Sequence, residues 1–231
     1  MCQNVADFTG FERPTTVIDN TDPIARQLLA LAQREGKQLM RMSDWAILKK
    51  EHTFSTSSGT AAYALPSDFD RLVLETSYNR SDNDILTGPI SSSEYQLVNH
   101  GTATTGTTEK FRLKAASNAL KFELDPTPSS TQTIGFEYVS TQFCQSSGGS
   151  GQAVWTADTD VGILDETTME MGITWRFKSA HGLDYAEDYR QYQLEVRQAI
   201  ARNGSAPILQ LDDARKLIVG PYQTDGNYGL S

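Results

Sequence analysis

The sequence predicts an α+β protein: an antiparallel β domain of five or six strands, packed with an N-terminal helix and a C-terminal αα-hairpin and followed by an extended C-terminal tail. Three observations carry this reading. Apolar residues recur at helical spacing in residues 21–48 and again in 163–203. Residues 49–144 instead alternate with a period of two between Gly, Pro and Asn turn signals. Residues 204–231 keep apolar and aromatic anchors but lose any period.

Residues 1–20 read as an N-terminal arm. A helix opens at Thr21, Asp22 and Pro23, where Asp22 can cap free N–H groups and Pro23 has the φ of a first helical turn. Ile24, Leu28, Leu31 and Leu39 give it a buried face as far as about Met42. His52, Phe54 and Thr56 then alternate with Thr53 and Ser55 in a strand that stops at Gly59. Residues 63–69 read as a short extended piece ending in a turn, and Leu72, Leu74 and Thr76 as the next strand. Gly88 and Pro89 break the chain before a short helix at residues 91–98. Strand-length alternation at 111–115, 120–124 and 134–139, with Ser117 and Asn118 as a hairpin turn, completes the β domain.

Residues 145–160 are expected to be a flexible loop, because the Ser/Gly run at 145–151 offers almost nothing to bury. Asp165 then opens a helix whose Met169, Ile173 and Phe177 share a face, closed by His181 and Gly182. Asp184 and Glu187 begin a third helix with Tyr185, Tyr189, Tyr192, Val196 and Ile200 on one side. The short connection makes the two an antiparallel hairpin. Residues 208–211 could add a last strand.

Composition narrows the functional classes. The formal charge of −9 opposes tight phosphate binding over the whole surface, and suits a channel through which DNA slides. Cys2 and Cys144 form no CxxC pair and no disulfide framework, which fits a reducing compartment. The first residues show no basic and apolar leader, and no stretch is apolar enough to span a bilayer, so neither export nor membrane insertion is expected.

No motif carries chemistry. His52, His100 and His181 lie apart from each other and from metal-ligand spacing, which favours surface or capping roles. Asp158 and Asp160 alternate as in a calcium loop, but Gly162 and the lack of a carboxylate at the twelfth position favour a solvated helix-entry loop. Ser150 lacks the last glycine of a nucleophile elbow, Gln152 standing in its place, and the strand that would precede it. Glu166, Glu170, Glu187 and Asp188 sit at helix starts or exposed faces rather than in an apolar cleft. No phosphate-binding loop occurs, and no cofactor or metal is expected. One cluster does stand out from the acidic background: Arg26, Arg34, Lys37 and Arg41, with Lys49 and Lys50 beyond them. It reads as a solvated face, or as a surface for an acidic neighbour or for DNA in a lumen.

The order of the first helix, Asp44 and Trp45, a strand, and then Tyr63, Ala64, Leu65, Pro66, Ser67, Asp68, Phe69, Asp70, Arg71 and Leu72 resembles the head-to-tail adaptor, or connector, proteins of tailed bacteriophages. Gly88, Pro89 and Ile90, with Glu94, Tyr95 and Gln96, extend the likeness, although Tyr95 stands where the pattern favours Trp. Leu124 to Pro128, Phe136 to Ser140, Trp155 to Asp160, Met171 to Arg176 and Gly182 to Tyr185 continue it, so it covers residues 20–212.

This resemblance implies a structural virion protein at the head–tail junction, assembled in the host bacterial cytoplasm and not an enzyme. It implies a homo-oligomeric ring, typically of twelve copies, that joins the portal ring to a tail or nozzle protein while DNA passes without specific binding. Residues 21–48 and 163–203 would build the ring, with Trp175, Arg176, Tyr189, Arg190 and Arg197 at its interface. The tail would bind the portal through Leu217, Ile218, Val219, Pro221, Tyr222 and Tyr228. Two other classes stay open at this point: a carbohydrate- or protein-binding tail or host-recognition module, and a carboxylate-dependent hydrolase.

Overall fold

The computed structural model describes residues 1–100 and 109–203, and the portal-binding residues expected at 217–228 lie outside these. Helices α1 (Cys2–Thr9) and α2 (Pro23–Met42) precede strands β1 (Lys49–Ser55), β2 (Ala62–Ala64), β3 (Phe69–Leu72), β4 (Tyr78–Asn79) and β5 (Asp84–Ile85). Helix α3 (Ser92–His100) follows, then β6 (Lys110–Ala116), β7 (Ala119–Asp125) and β8 (Thr133–Ser140). Three short strands, β9 (Cys144–Gln145), β10 (Gly151–Gln152) and β11 (Val161–Gly162), lead to helices α4 (Glu166–Ala180) and α5 (Ala186–Asn203).

The expected α+β class is what the chain adopts, but its β part divides into separate antiparallel sheets. Strand β8 is central to the largest: β1 pairs along one edge from Lys49 opposite Val139 to Ser55 opposite Thr133, and β3 and β4 share the other edge. A second sheet has the order β2-β7-β6. The two meet through three parallel rings, Phe111 on Phe122 at 4.4 Å and Phe122 on Phe136 at 5.1 Å between centroids. Each ring is almost fully buried, and large aromatic areas of this kind dominate core energetics. Ser117 and Asn118 both take positive φ, as a two-residue turn matching the twist of its strands requires.

A second core lies among the helices. Val5 and Ala6 of α1, Leu28 and Leu39 of α2, Ile173 and Phe177 of α4 and Tyr192 and Val196 of α5 close around Phe143 and Trp155. Asp22 caps α2 through Oδ2, which accepts from the N–H groups of Ile24 and Ala25 at 3.1 Å, and Asp165 caps α4 from Thr168 at 2.7 Å. Gly36 lets Phe143 lie against α2, since a Cβ there would overlap the ring. The cores are contiguous through β8, whose Ile134, Phe136 and Tyr138 join the aromatic one while the adjacent Val139 joins the helical one.

Four local expectations need correction. The first 20 residues are no free arm: α1 buries Val5 and Ala6, a signal too short to read as amphipathic. The Ser/Gly run is a tight turn, in which Ser146 N–H donates to Ser150 O at 2.8 Å and Gly149 has a φ of 84°, between paired β9 and β10. Its short polar residues satisfy their own backbone, and the adjoining Cys144 is fully buried. Strand β3 ends at Leu72, because Glu75 takes a φ of 62° and Leu74 turns outward. Tyr185 precedes α5 rather than lying on its face.

Two side chains tie the β part together and to the helices. Asp68, in the turn before β3, accepts from Lys50 Nζ at 2.7 Å, Tyr138 OH at 2.9 Å and Ser140 Oγ at 2.8 Å. Arg71 donates to Asp44 Oδ1 and to Ser43 O, both at 2.8 Å, beyond the end of α2. Burial alone would raise the Asp68 pKa, but its three donors outweigh that and hold it below the ordinary 3.8. A carboxyl lowered on folding stabilises above its unfolded pKa and loses that contribution as pH falls through its folded one. Asp68→Asn should therefore cost about 1.5–3 kcal/mol at neutral pH in urea titrations. The gap from wild type should close as pH is lowered through the lowered folded pKa of Asp68, below the ordinary 3.8; a gap that ignores pH would contradict this linkage.

Candidate assembly interface

Helix α2 has two chemically opposite sides. Its inner positions are Ala25, Leu28, Ala32, Glu35, Gly36, Leu39 and Met40, all buried. Arg26, Arg34, Lys37 and Arg41 fall within an arc of roughly 80° on its outer side, by the 3.6-residue turn. All four are exposed, and among the described residues none makes an ion pair or side-chain hydrogen bond. Of the neighbouring cations, Lys50 is committed to Asp68, and Lys49 is exposed on β1.

Under this stripe lies a buried charge. Glu35 is 0% exposed and pairs with Arg176 of α4. Tyr192 OH of α5 donates to Glu35 Oε1 at 2.7 Å, and Arg176 Nη1 also donates to Gly172 O at 2.7 Å while Nη2 reaches Gln38. Gly172 is needed here, because a Cβ at that position would overlap the Glu35 carboxylate. Desolvation pushes the Glu35 carboxyl above its ordinary value, against the opposing pull of Arg176 and the Tyr192 hydroxyl. The network joins α2, α4 and α5 at one point and fixes how the hairpin sits on α2.

Above it opens a groove of about 320 Å³ between α2 and the hairpin. Trp175 forms one wall, with Tyr189 set edge-on at 4.9 Å and the Arg176 guanidinium 4.4 Å from the indole centroid. Arg34 and Arg197 stand on its two sides, and Gln38, Met42 and Val196 complete it. The indole Nε1 of Trp175 is buried without an acceptor among the described residues. Cationic, aromatic and partly apolar, this surface is suited to binding a protein segment that brings carboxylates and an apolar anchor.

Three of the five residues expected at a ring interface, Trp175, Tyr189 and Arg197, thus meet at one place, together with Arg34 from the basic stripe. Arg176 is 7% exposed and forms the floor, its guanidinium engaged inside the protomer. Arg190 lies two turns before Arg197 on α5 and is held by Glu187, with Nη2 to Oε1 at 2.6 Å. Sequence reading missed Glu35 and Tyr192 as partners. The available signal was a carboxylate at a core position of α2, seven residues after Leu28 and four before Leu39.

The other candidate centres have structural occupations. Asp158 Oδ1 accepts from the N–H groups of Val17 and Ile18 at 2.9 and 3.2 Å, and Asp160 Oδ2 accepts from Thr156 and Ala157 at 2.7 and 2.9 Å. Both therefore anchor backbone. Glu166 accepts from Gly162 N–H at 2.8 Å, and His181 caps α4 while bonded to Gln27 at 3.0 Å. No group of three or more metal-ligating side chains occurs among the described residues, and no described helix is long and apolar enough to cross a membrane.

Removing one member of the buried pair leaves the other charge without compensation. Arg176→Met should cost about 3–5 kcal/mol in chemical denaturation. The double variant Glu35→Gln/Arg176→Met should cost clearly less than the two single losses combined. Additive losses would show that the pair is not coupled.

No curated protein matches this chain, but a family model does: the one described as SU10 adaptor protein aligns with residues 1–217. That span takes in both cores, the basic stripe of α2 and the complete α4–α5 hairpin. The chain therefore belongs to the SU10 adaptor protein family, a family of phage head–tail adaptors.

Proposed function

We propose that this phage structural adaptor forms a ring that joins the portal of the head to the tail and lines part of the DNA channel. The family match over residues 1–217 carries the reading. The groove supports it, because a recessed aromatic and cationic surface beside a rigid helical hairpin is the kind of feature a neighbouring subunit uses. Heterologous contacts repeated from copy to copy close into a ring when the rotation per copy divides a full turn. Twelve copies is the number the family suggests.

In this arrangement the helical body makes the ring, with Trp175, Tyr189, Arg190 and Arg197 near the contact and Arg176 holding its floor. The segment 204–231 binds the portal through Leu217, Ile218, Val219, Pro221, Tyr222 and Tyr228, and the β part faces the tail or nozzle protein. The ring acts by binding and not by catalysis. It stands at the head–tail junction of the virion after assembly in the host cytoplasm, and its net charge of −9 lets DNA pass without sticking.

Deleting residues 214–231 tests the division of labour. The shortened chain should keep its far-ultraviolet circular dichroism and bind isolated portal rings at least about tenfold more weakly in a pull-down titration. Undiminished portal binding would remove the C-terminal segment from this role.

A further inference from the structure

We propose that the basic, aromatic groove between α2 and the α4–α5 hairpin receives the opposite side of the hairpin from a second copy of this chain, with Phe8 as the inserted anchor. The inference rests on the ring reading above and adds to it the two surfaces that meet.

The opposite side carries a second groove, of about 280 Å³, between α1 and the hairpin. Thr167, Glu170 and Thr174 of α4 and Asp188 of α5 line it, and Phe8 of α1 stands over it, 68% exposed. Around the axis of α5, Asp188 and Gln191 are displaced by roughly 140° from Tyr189, Val196 and Arg197, which face the basic groove. One hairpin thus presents unlike surfaces to its two sides.

Their charges are complementary. Arg34 and Arg197 flank the first groove, with Arg26, Lys37 and Arg41 continuing along α2, and no carboxylate pairs with any of them among the described residues. In the second groove, Glu170 is held among the described residues only by the neutral amide of Asn4 at 3.0 Å. Asp188 is partly offset by Lys178 at 2.7 Å, and Glu166 stands one turn before Glu170. Two copies of a chain carrying −9 repel at a distance, and a contact that sets the basic stripe against carboxylates offsets that repulsion locally. A two-fold contact through the first groove would set arginine against arginine. The head-to-tail contact avoids this, and it alone leaves both surfaces of every internal copy occupied.

Phe8 supplies the apolar part. The Lys178 ammonium 4.9 Å from its ring is its neighbour within the protomer, and most of the ring faces outward. Exposed aromatic residues beside a groove are common anchors of interfaces, and the walls of Trp175 and Tyr189 offer a matching ring-lined recess.

The test uses the full chain and analytical ultracentrifugation over a concentration series. Arg34→Glu/Arg197→Glu and Glu170→Lys/Asp188→Lys should each weaken self-association by at least about tenfold, with unchanged circular dichroism. Phe8→Ala should weaken it with no charge altered. Mixing the two charge-reversed chains should restore assembly, since each reversed surface then meets its complement. A mixture that stays dissociated, or variants that assemble like wild type, overturns this interface and leaves the ring reading standing. A wild-type chain that stays monomeric at every concentration and also fails to form rings on isolated portal overturns both. If Arg34→Glu/Arg197→Glu loses binding to duplex DNA while its assembly is unchanged, the basic stripe serves nucleic acid and the proposal is wrong.

Discussion

The helical body is organised around one carboxylate that has been taken out of water. Glu35 sits at a core position of α2, and its burial is tolerable only because Arg176 and Tyr192 meet it from two other helices. That requirement sets the relative placement of α2, α4 and α5 more narrowly than apolar packing alone, because aliphatic side chains slide and repack where a charged pair does not. Gly172 follows from the same constraint, since the carboxylate occupies the space where its Cβ would be. The groove above is in turn a product of that placement: its floor is Arg176, and its walls come from the helices the pair holds together.

Beyond this point apolar and polar groups have different tasks in the fold. The aromatic stack joins two sheets through ring contacts, whereas the turns between strands are held by side chains such as Asp68 and Arg71. Carboxylates that resemble catalytic or calcium-binding groups in the sequence cap helices and loops instead, and the N–H groups of Val17, Ile18, Thr156 and Ala157 absorb them.

Much of the fold was legible in the sequence because its signals were local. Asp22 with Pro23 marks the start of α2, Ser117 with Asn118 marks the β6–β7 turn, and Met169, Ile173 and Phe177 mark the inner face of α4. What escaped depends on distant partners. Helix α1 has only two buried residues and becomes recognisable when α4 covers them. The strands at 144–162 are two residues long, below any period, and form because β9 finds β10 and β11 on its two edges. At the groove, the basic stripe and Trp175 were visible as residue types. The recess between them was not, because it depends on a salt bridge linking positions 141 residues apart.

Strand β8 has a further mechanical meaning. Its Phe136 and Tyr138 lie in the aromatic core while Val139 lies in the helical one, so a single covalent segment runs through both. A load applied to the sheets therefore reaches the helices along a backbone, without crossing a soft linker. Seven paired positions along β1 oppose slippage of that strand in shear, so the hydrogen bonds must yield together and not in succession. For a part that stands between two large assemblies, this makes stiffness a property of the fold itself.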